Sequence, residues 1–249
     1  MKNAFITLLV SGIACSTFAQ TSGTIRFEEK RKLEFKIDGA DEKMLGDLPK
    51  EHIAQSVLYF TPDATIYQND KSNQPNKDID RESEDGGHMM IKMQQPDEKV
   101  FCDLKNNSLT EQRDFMSRKF LIESDLSKMQ WKLTGKQKMI LSYPCQEATL
   151  QDTSKKVTAW FTSAIPISSG PNGYANLPGM ILSLDIGDGK RVITALSVDL
   201  KQPDASVFVK PKEGKKVTKE AFAKIMEEKM KEMGEQNGGG GNVIIKIKN

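Results

Sequence analysis

A chain of 249 residues, 37% of them hydrophobic, is long enough to bury a sizeable core, and β-rich domains of this size are often single. Its 36 basic and 34 acidic residues nearly cancel and are interspersed, so the charge gives no drive toward nucleic acid. Beyond the N-terminus, no stretch is apolar enough to span a membrane as a helix.

Met1-Lys2-Asn3 forms a short basic head, and residues 4–14 form a mostly apolar run well short of the ~20 residues a spanning helix needs. Thr17-Phe18-Ala19 then puts small residues at minus three and minus one before Gln20. Residues 1–19 therefore read as a secretory signal peptide, and residues 20–249 as one exported, β-rich domain with the periplasm as its expected location. The alternative is processing before Cys15, at Gly12-Ile13-Ala14-Cys15, which would leave the protein lipid-anchored to a membrane.

Residues 24–37 alternate, with Ile25, Phe27, Leu33, Phe35 and Ile37 on one parity, which predicts a long half-buried strand. Residues 50–54 suggest a helical turn, and residues 56–60 a strand that turns at Thr61-Pro62-Asp63 and pairs back through residues 64–67. The polar stretch at about 68–87 cannot bury enough surface to offset its ordering entropy and predicts a mobile loop. Short strands follow at residues 88–93, 99–104, 108–113, 119–123, around Trp131, and at 139–143, 145–150 and 156–162. After a loop rich in Pro and Gly, residues 180–186 and 191–200 flank Gly187-Asp188-Gly189-Lys190, a hairpin turn. Phe222, Ile225, Met226, Met230 and Met233 fall at helical spacing within residues 217–233, with Thr218 placed to cap them, and a last strand follows at residues 242–249. The class is α+β, predominantly antiparallel β, with one C-terminal amphipathic helix.

Cys102 and Cys145 remain after either cleavage and form a disulfide candidate, which would stabilise the fold by roughly 4 kcal/mol in the chain-entropy model. Two separate buried thiols are the competing reading.

Ala159-Trp160-Phe161-Thr162, Ile165-Pro166-Ile167, Gly170-Pro171 and Asn176-Leu177-Pro178-Gly179-Met180-Ile181-Leu182 together resemble the defining region of the GLPGLI family, exported proteins of Bacteroidetes-type bacteria. Tyr143-Pro144-Cys145-Gln146-Glu147-Ala148 resembles the cysteine-containing strand of that family. Asn176 departs from the usual Gly and Met180 from the usual Leu. The resemblance implies an exported β-rich protein and no particular activity. The strand order and Leu-Pro-Gly turn are also similar to the curved half-barrel of periplasmic lipoprotein carriers, so a curved sheet or half-barrel is expected.

Pro178 drives Leu177 extended, and Gly179 permits a conformation other residues resist. On a functional reading, Trp160, Tyr174, Leu177, Pro178 and Gly179 rim an apolar ligand site; on the other reading they are structural punctuation. Only His52 and His88 exist, and no nucleophile motif is recognisable, so no catalytic residue is assigned. His88 and Met90 are weak copper candidates because strand alternation separates them from Met89 and Met93; no metal or cofactor is assigned. Asp185 to Gly189 reads as a turn rather than a calcium loop. The expected function is a non-enzymatic periplasmic binding or carrier module for a lipid-like or apolar ligand. The alternatives are a cell-envelope assembly factor that binds another protein and an enzyme built from scattered carboxylates.

Overall fold

The computed structural model describes residues 21–36, 49–72, 79–82, 88–91, 97–126, 128–151, 156–236 and 244–246. The expected leader, Cys15 and the side chains of His88 and Met90 lie outside the described residues, as does part of the polar 68–87 stretch.

Twelve strands form one open, almost wholly antiparallel sheet. β1 (Gly23–Lys32) lies in its middle and joins two arrays. On one side it pairs with β14 (Arg191–Asp199), the end of a meander comprising β10 (Trp131–Ile140), β11 (Tyr143–Leu150), β12 (Val157–Thr162) and β13 (Met180–Ile186). On the other it pairs with β3 (Glu51–Phe60), followed outward by β4 (Ala64–Asn69), β7 (Glu98–Asp103), β8 (Ser108–Phe115) and β9 (Arg118–Asp125). β15 (Lys215–Val217) closes that edge as a short parallel partner of β9. Two further pairs stand outside the large sheet: β2 (Glu34–Lys36) with β16 (Ile244–Lys246), and β5 (Ile79–Glu82) with β6 (His88–Ile91). Residues 79–82 are thus a strand within the stretch whose composition predicts a loop.

Cross-strand register decides which residues share a face. Phe27 and Ile25 of β1 stand opposite Ser56 and Leu58 of β3, Leu58 opposite Tyr67 of β4, Tyr67 opposite Val100 of β7, and Val100 opposite Glu111 of β8. Paired residues point the same way. They define an inner face, on which Ile25, Phe27, Leu58, Val100 and Leu109 form much of the core. Residues 163–179 fold back onto this face and bury Ile165, Ile167, Ala175 and Leu177. Ser169 fixes this plug to the sheet, because its Oγ lies 3.1 Å from Thr65 Oγ1 and its carbonyl accepts from Ile181 N at 2.9 Å. The helix α1 (Lys219–Gln236) packs on the same face of β9, with Phe222 against Phe120 at a centroid distance of 5.2 Å. Thr218 Oγ1 accepts from Ala221 N at 3.1 Å, which caps its first turn.

Two local expectations change. Residues 50–54 continue β3 instead of turning as a helix, since Glu51 to Gln55 pair with Lys32 to Glu28. The segments around Trp131 and at residues 139–143 belong to one hairpin: β10 runs ten residues and turns at Leu141, whose φ is 53°. Its alternation is concealed because it is a sheet edge with eight consecutive exposed residues, and its pairing with β11 shifts between Leu133 and Gln137.

The disulfide expectation also fails, as Cys102 and Cys145 are both free thiols. They sit on β7 and β11, with β12, β13, β14, β1, β3 and β4 between them in the sheet. Each is instead a small apolar filler of the core, and burial pushes both thiols up to about 11. Reductant should therefore leave the melting temperature unchanged. Iodoacetamide near pH ~8 should label both thiols in denaturant and neither in the native protein. A drop in melting temperature on reduction would show that the two are bonded.

Candidate functional site

Toward one end of the strands the inner face changes from apolar to charged. On β1, Glu29 follows Ile25 and Phe27 on the inward parity and is only 2% exposed. Arg191 of β14 binds it through two nitrogens, Nε to Oε1 at 2.9 Å and Nη2 to Oε2 at 2.8 Å. Arg31 Nε also donates to Glu29 Oε1. Burial alone would raise the Glu29 pKa, but the Arg191 and Arg31 guanidiniums outweigh it and hold the carboxyl below its ordinary value. Burial likewise acts to lower the Arg191 pKa, and Glu29 more than reverses this.

A second group stands on β7 and β8. Arg113 donates from Nε and Nη2 to Glu111 Oε2 at 2.8 and 2.6 Å, and its Nη1 lies 3.1 Å from Glu98 Oε1. Burial works against the Arg113 charge, and Glu98 and Glu111 restore it. Tyr67 packs edge-on against Phe27 between the two groups, with burial and the Glu29 charge driving its hydroxyl well above the usual phenol range.

Glu111, Arg113 and Arg191 of these ion pairs line a cleft of about 580 Å³. The plug forms one wall with Asn172, Gly173 and Tyr174, and Leu109, Glu111 and Arg113 of β8 form another. Lys128, Met129 and Gln130, with Leu150, Gln151 and Arg191, line the remainder, and Lys219 approaches from the start of α1. The plug reaches this position because Gly173, at φ 76°, lies flush on the sheet: a Cβ there would sit 3.1 Å from Leu109 and 3.4 Å from Val100. Asn172, at φ 55°, contributes a side-chain amide whose Oδ1 and Nδ2 are buried without a hydrogen-bond partner among the described residues. Trp131 supports the wall from behind, its Nε1 donating to Ala175 O at 2.8 Å and its ring 6.4 Å from that of Tyr174.

Of the five residues expected to rim a ligand site, Tyr174 lines the cleft, and Trp160, Leu177, Pro178 and Gly179 do not. Leu177 is a buried residue of the plug itself, and Pro178 is exposed. Gly179, at φ 151°, meets the backbone of Thr162. Trp160 lies half-buried with Lys138 Nζ 4.2 Å above its ring, on the β10–β11–β12 side of the sheet. The turn at residues 187–190 is built as a hairpin, with Asp185 Oδ1 accepting from Gly189 N at 2.6 Å. No group of three or more His, Cys, Asp or Glu able to hold a metal occurs among the described residues. None of their helices is long and apolar enough to cross a membrane.

Sequence reasoning passed over Glu29, Glu111, Arg113 and Arg191. A signal was present: positions 29 and 31 share the parity of Ile25 and Phe27, and charge at inward positions is costly unless it is paired.

The architecture is an open antiparallel sheet with an internal plug and one helix. Over residues 150–183, which span β12 and the plug, the chain matches the model of a family described as a protein of unknown function, Porph_ging. That model bears a different name from the one suggested by the Leu-Pro-Gly motif. No curated protein matches the sequence. Two solved structures of PNGF-II share the fold, one in space group C2 and one in P21. The first has a TM-score of 0.52 at 16% identity over 82% of this chain and 32% of that one. The second has a TM-score of 0.51 at 16% identity over 82% and 33%. The chain thus spans about a third of the length of those proteins.

Proposed function

We propose that the protein is a non-enzymatic binding or carrier module, exported to the periplasm, whose lipid-like ligand occupies the cleft between the plug and β8. The observation that carries this reading is the cleft itself, open and about 580 Å³ in volume, with Leu109, Met129, Leu150 and Tyr174 beside paired charges. The plug fills the apolar centre of the inner face, so the ligand's place is at the charged end rather than along a long apolar groove. The carboxylates Glu29, Glu98 and Glu111 are each tied to an arginine, which suits a fixed recognition surface better than a proton-transfer site.

Trp131 reports on the wall through Ala175 and Tyr174. The chain has two tryptophans, so a Trp160→Phe background isolates its emission. A lipid extract of the producing cell should change that emission saturably, and Tyr174→Ala should abolish the change. No saturable change would count against the reading.

A second reading is a cell-envelope assembly factor that binds another protein through the free edge of β10. It is favoured by Leu133, Met139 and Leu141, which are 53%, 62% and 48% exposed on or beside that strand.

A further inference from the structure

The charges around the cleft do not cancel. One acid, Glu111, lines it beside Arg113, Arg191, Lys128 and Lys219; with Glu29, Glu98 and Arg31, which pair with these groups or share Glu29 behind the lining, there are three acids and five bases, a net charge of +2. The two lysines have no ion-pair partner among the described residues. The imbalance extends to the floor, where Glu29 is one carboxylate shared by two guanidiniums. Arg191 spends Nε and Nη2 on it, and its Nη1 has no acceptor among the described residues, although the side chain lines the cleft. A guanidinium carries five N–H donors in a planar fork, and a second edge left free matches a carboxylate or phosphate. The Asn172 amide, buried in the same cleft, is a second group with no hydrogen-bond partner among the described residues.

We infer that the cleft selects an anionic amphiphile, whose carboxylate or phosphate meets the free edge of Arg191 in the field of Lys128 and Lys219, with its apolar chain against Leu109, Leu150 and Tyr174. This inference rests on the proposed binding function and adds the ligand's charge class to it. Neutral lipids of the same length satisfy the apolar wall and leave the cations without a counter-charge. Charge-assisted hydrogen bonds are roughly twice as strong as neutral ones, so the discrimination is expected to be large.

The test is calorimetric titration of the full chain with dodecanoate, dodecyl phosphate and dodecanol. At least one of the two anions should bind about tenfold or more tightly than dodecanol, and whichever binds more tightly identifies the acid group. The preference should fall at least about threefold in Lys128→Gln/Lys219→Gln, which leaves the floor intact, and should also fall in Arg191→Lys if circular dichroism shows that variant folded. Equal binding of all three probes, or a preference that neither variant lowers, would overturn the charge selection and leave the binding function standing. Failure of all three to bind would remove both.

Discussion

Glu29→Gln is expected to lower stability by about 3 kcal/mol, read as a lower urea midpoint with an unchanged slope. Glu29 is almost wholly buried and is the counter-ion of both Arg191 and Arg31, whose side chains are 17% and 20% exposed. Glutamine keeps the shape and loses the charge, so two guanidiniums remain in a partly desolvated place without an anion. Removing one partner of such a pair costs more than the pair contributes, because the survivor's lost hydration is no longer compensated. The same ion pairs set a pH dependence. The folded pKa of Glu29 lies below the ordinary 4.5, so its stabilisation is complete above 4.5 and is lost as pH falls through the lower folded value. Wild-type protein should lose stability across that acidic window faster than Glu29→Gln, and the two unfolding midpoints should converge at its lower end. A loss below ~1 kcal/mol at neutral pH, or parallel pH profiles, would show that water reaches the arginines freely and that the floor is not a fixed array.

Gly179→Ala is expected to be at least as damaging, with a loss of about 3 kcal/mol or more, or failure to accumulate as folded protein. A Cβ at this position would lie 2.1 Å from Thr162 O and 2.7 Å from Thr162 C, and the backbone φ of 151° is one that side chains resist. Both obstacles are backbone, so no rotamer change relieves them. The cost extends beyond the turn, because the Gly179 region returns the plug to the sheet: Met180 N donates to Ile165 O at 2.9 Å one residue later. A displaced plug also moves Tyr174 and Asn172, so any variant that folds should bind ligand more weakly. Gly135→Ala is the control. Gly135 also has positive φ, at 82°, but nothing among the described residues lies within 4 Å of its added Cβ, and it should lose only about 1 kcal/mol. Similar losses at the two glycines would mean that conformation alone, and not the approach to Thr162, makes Gly179 necessary.

The contrast between these positions shows what the sequence makes legible. Local chemistry was readable. The Gly187-Asp188-Gly189 turn carries the positive φ values its composition predicts, and Thr218 caps the helix that the Phe222, Ile225 and Met226 spacing predicts. The alternation of Ile25 and Phe27 gave the central strand. Features that depend on remote partners were not readable. Ile165, Ile167, Ala175 and Leu177 have no regular period, because an irregular segment fills a cavity shaped by other strands; nothing local marks them as core. The sequence divides β10 in two because a shifted edge strand shows little inward-outward alternation. At the candidate site, Tyr174 was legible as an aromatic in a glycine-rich loop. Glu29, Glu111, Arg113 and Arg191 come from β1, β8 and β14, and their meeting follows from strand order, which no single segment encodes.

The charged cleft between the plug and β8 is the proposed place of the ligand. Hydrogen exchange of the full chain with and without saturating dodecanoate locates the ligand, because amide protection is read residue by residue. Protection should rise at residues 109–113, 128–130 and 172–174 and remain unchanged along β10. Protection confined to residues 131–140, or no change anywhere, would contradict that placement.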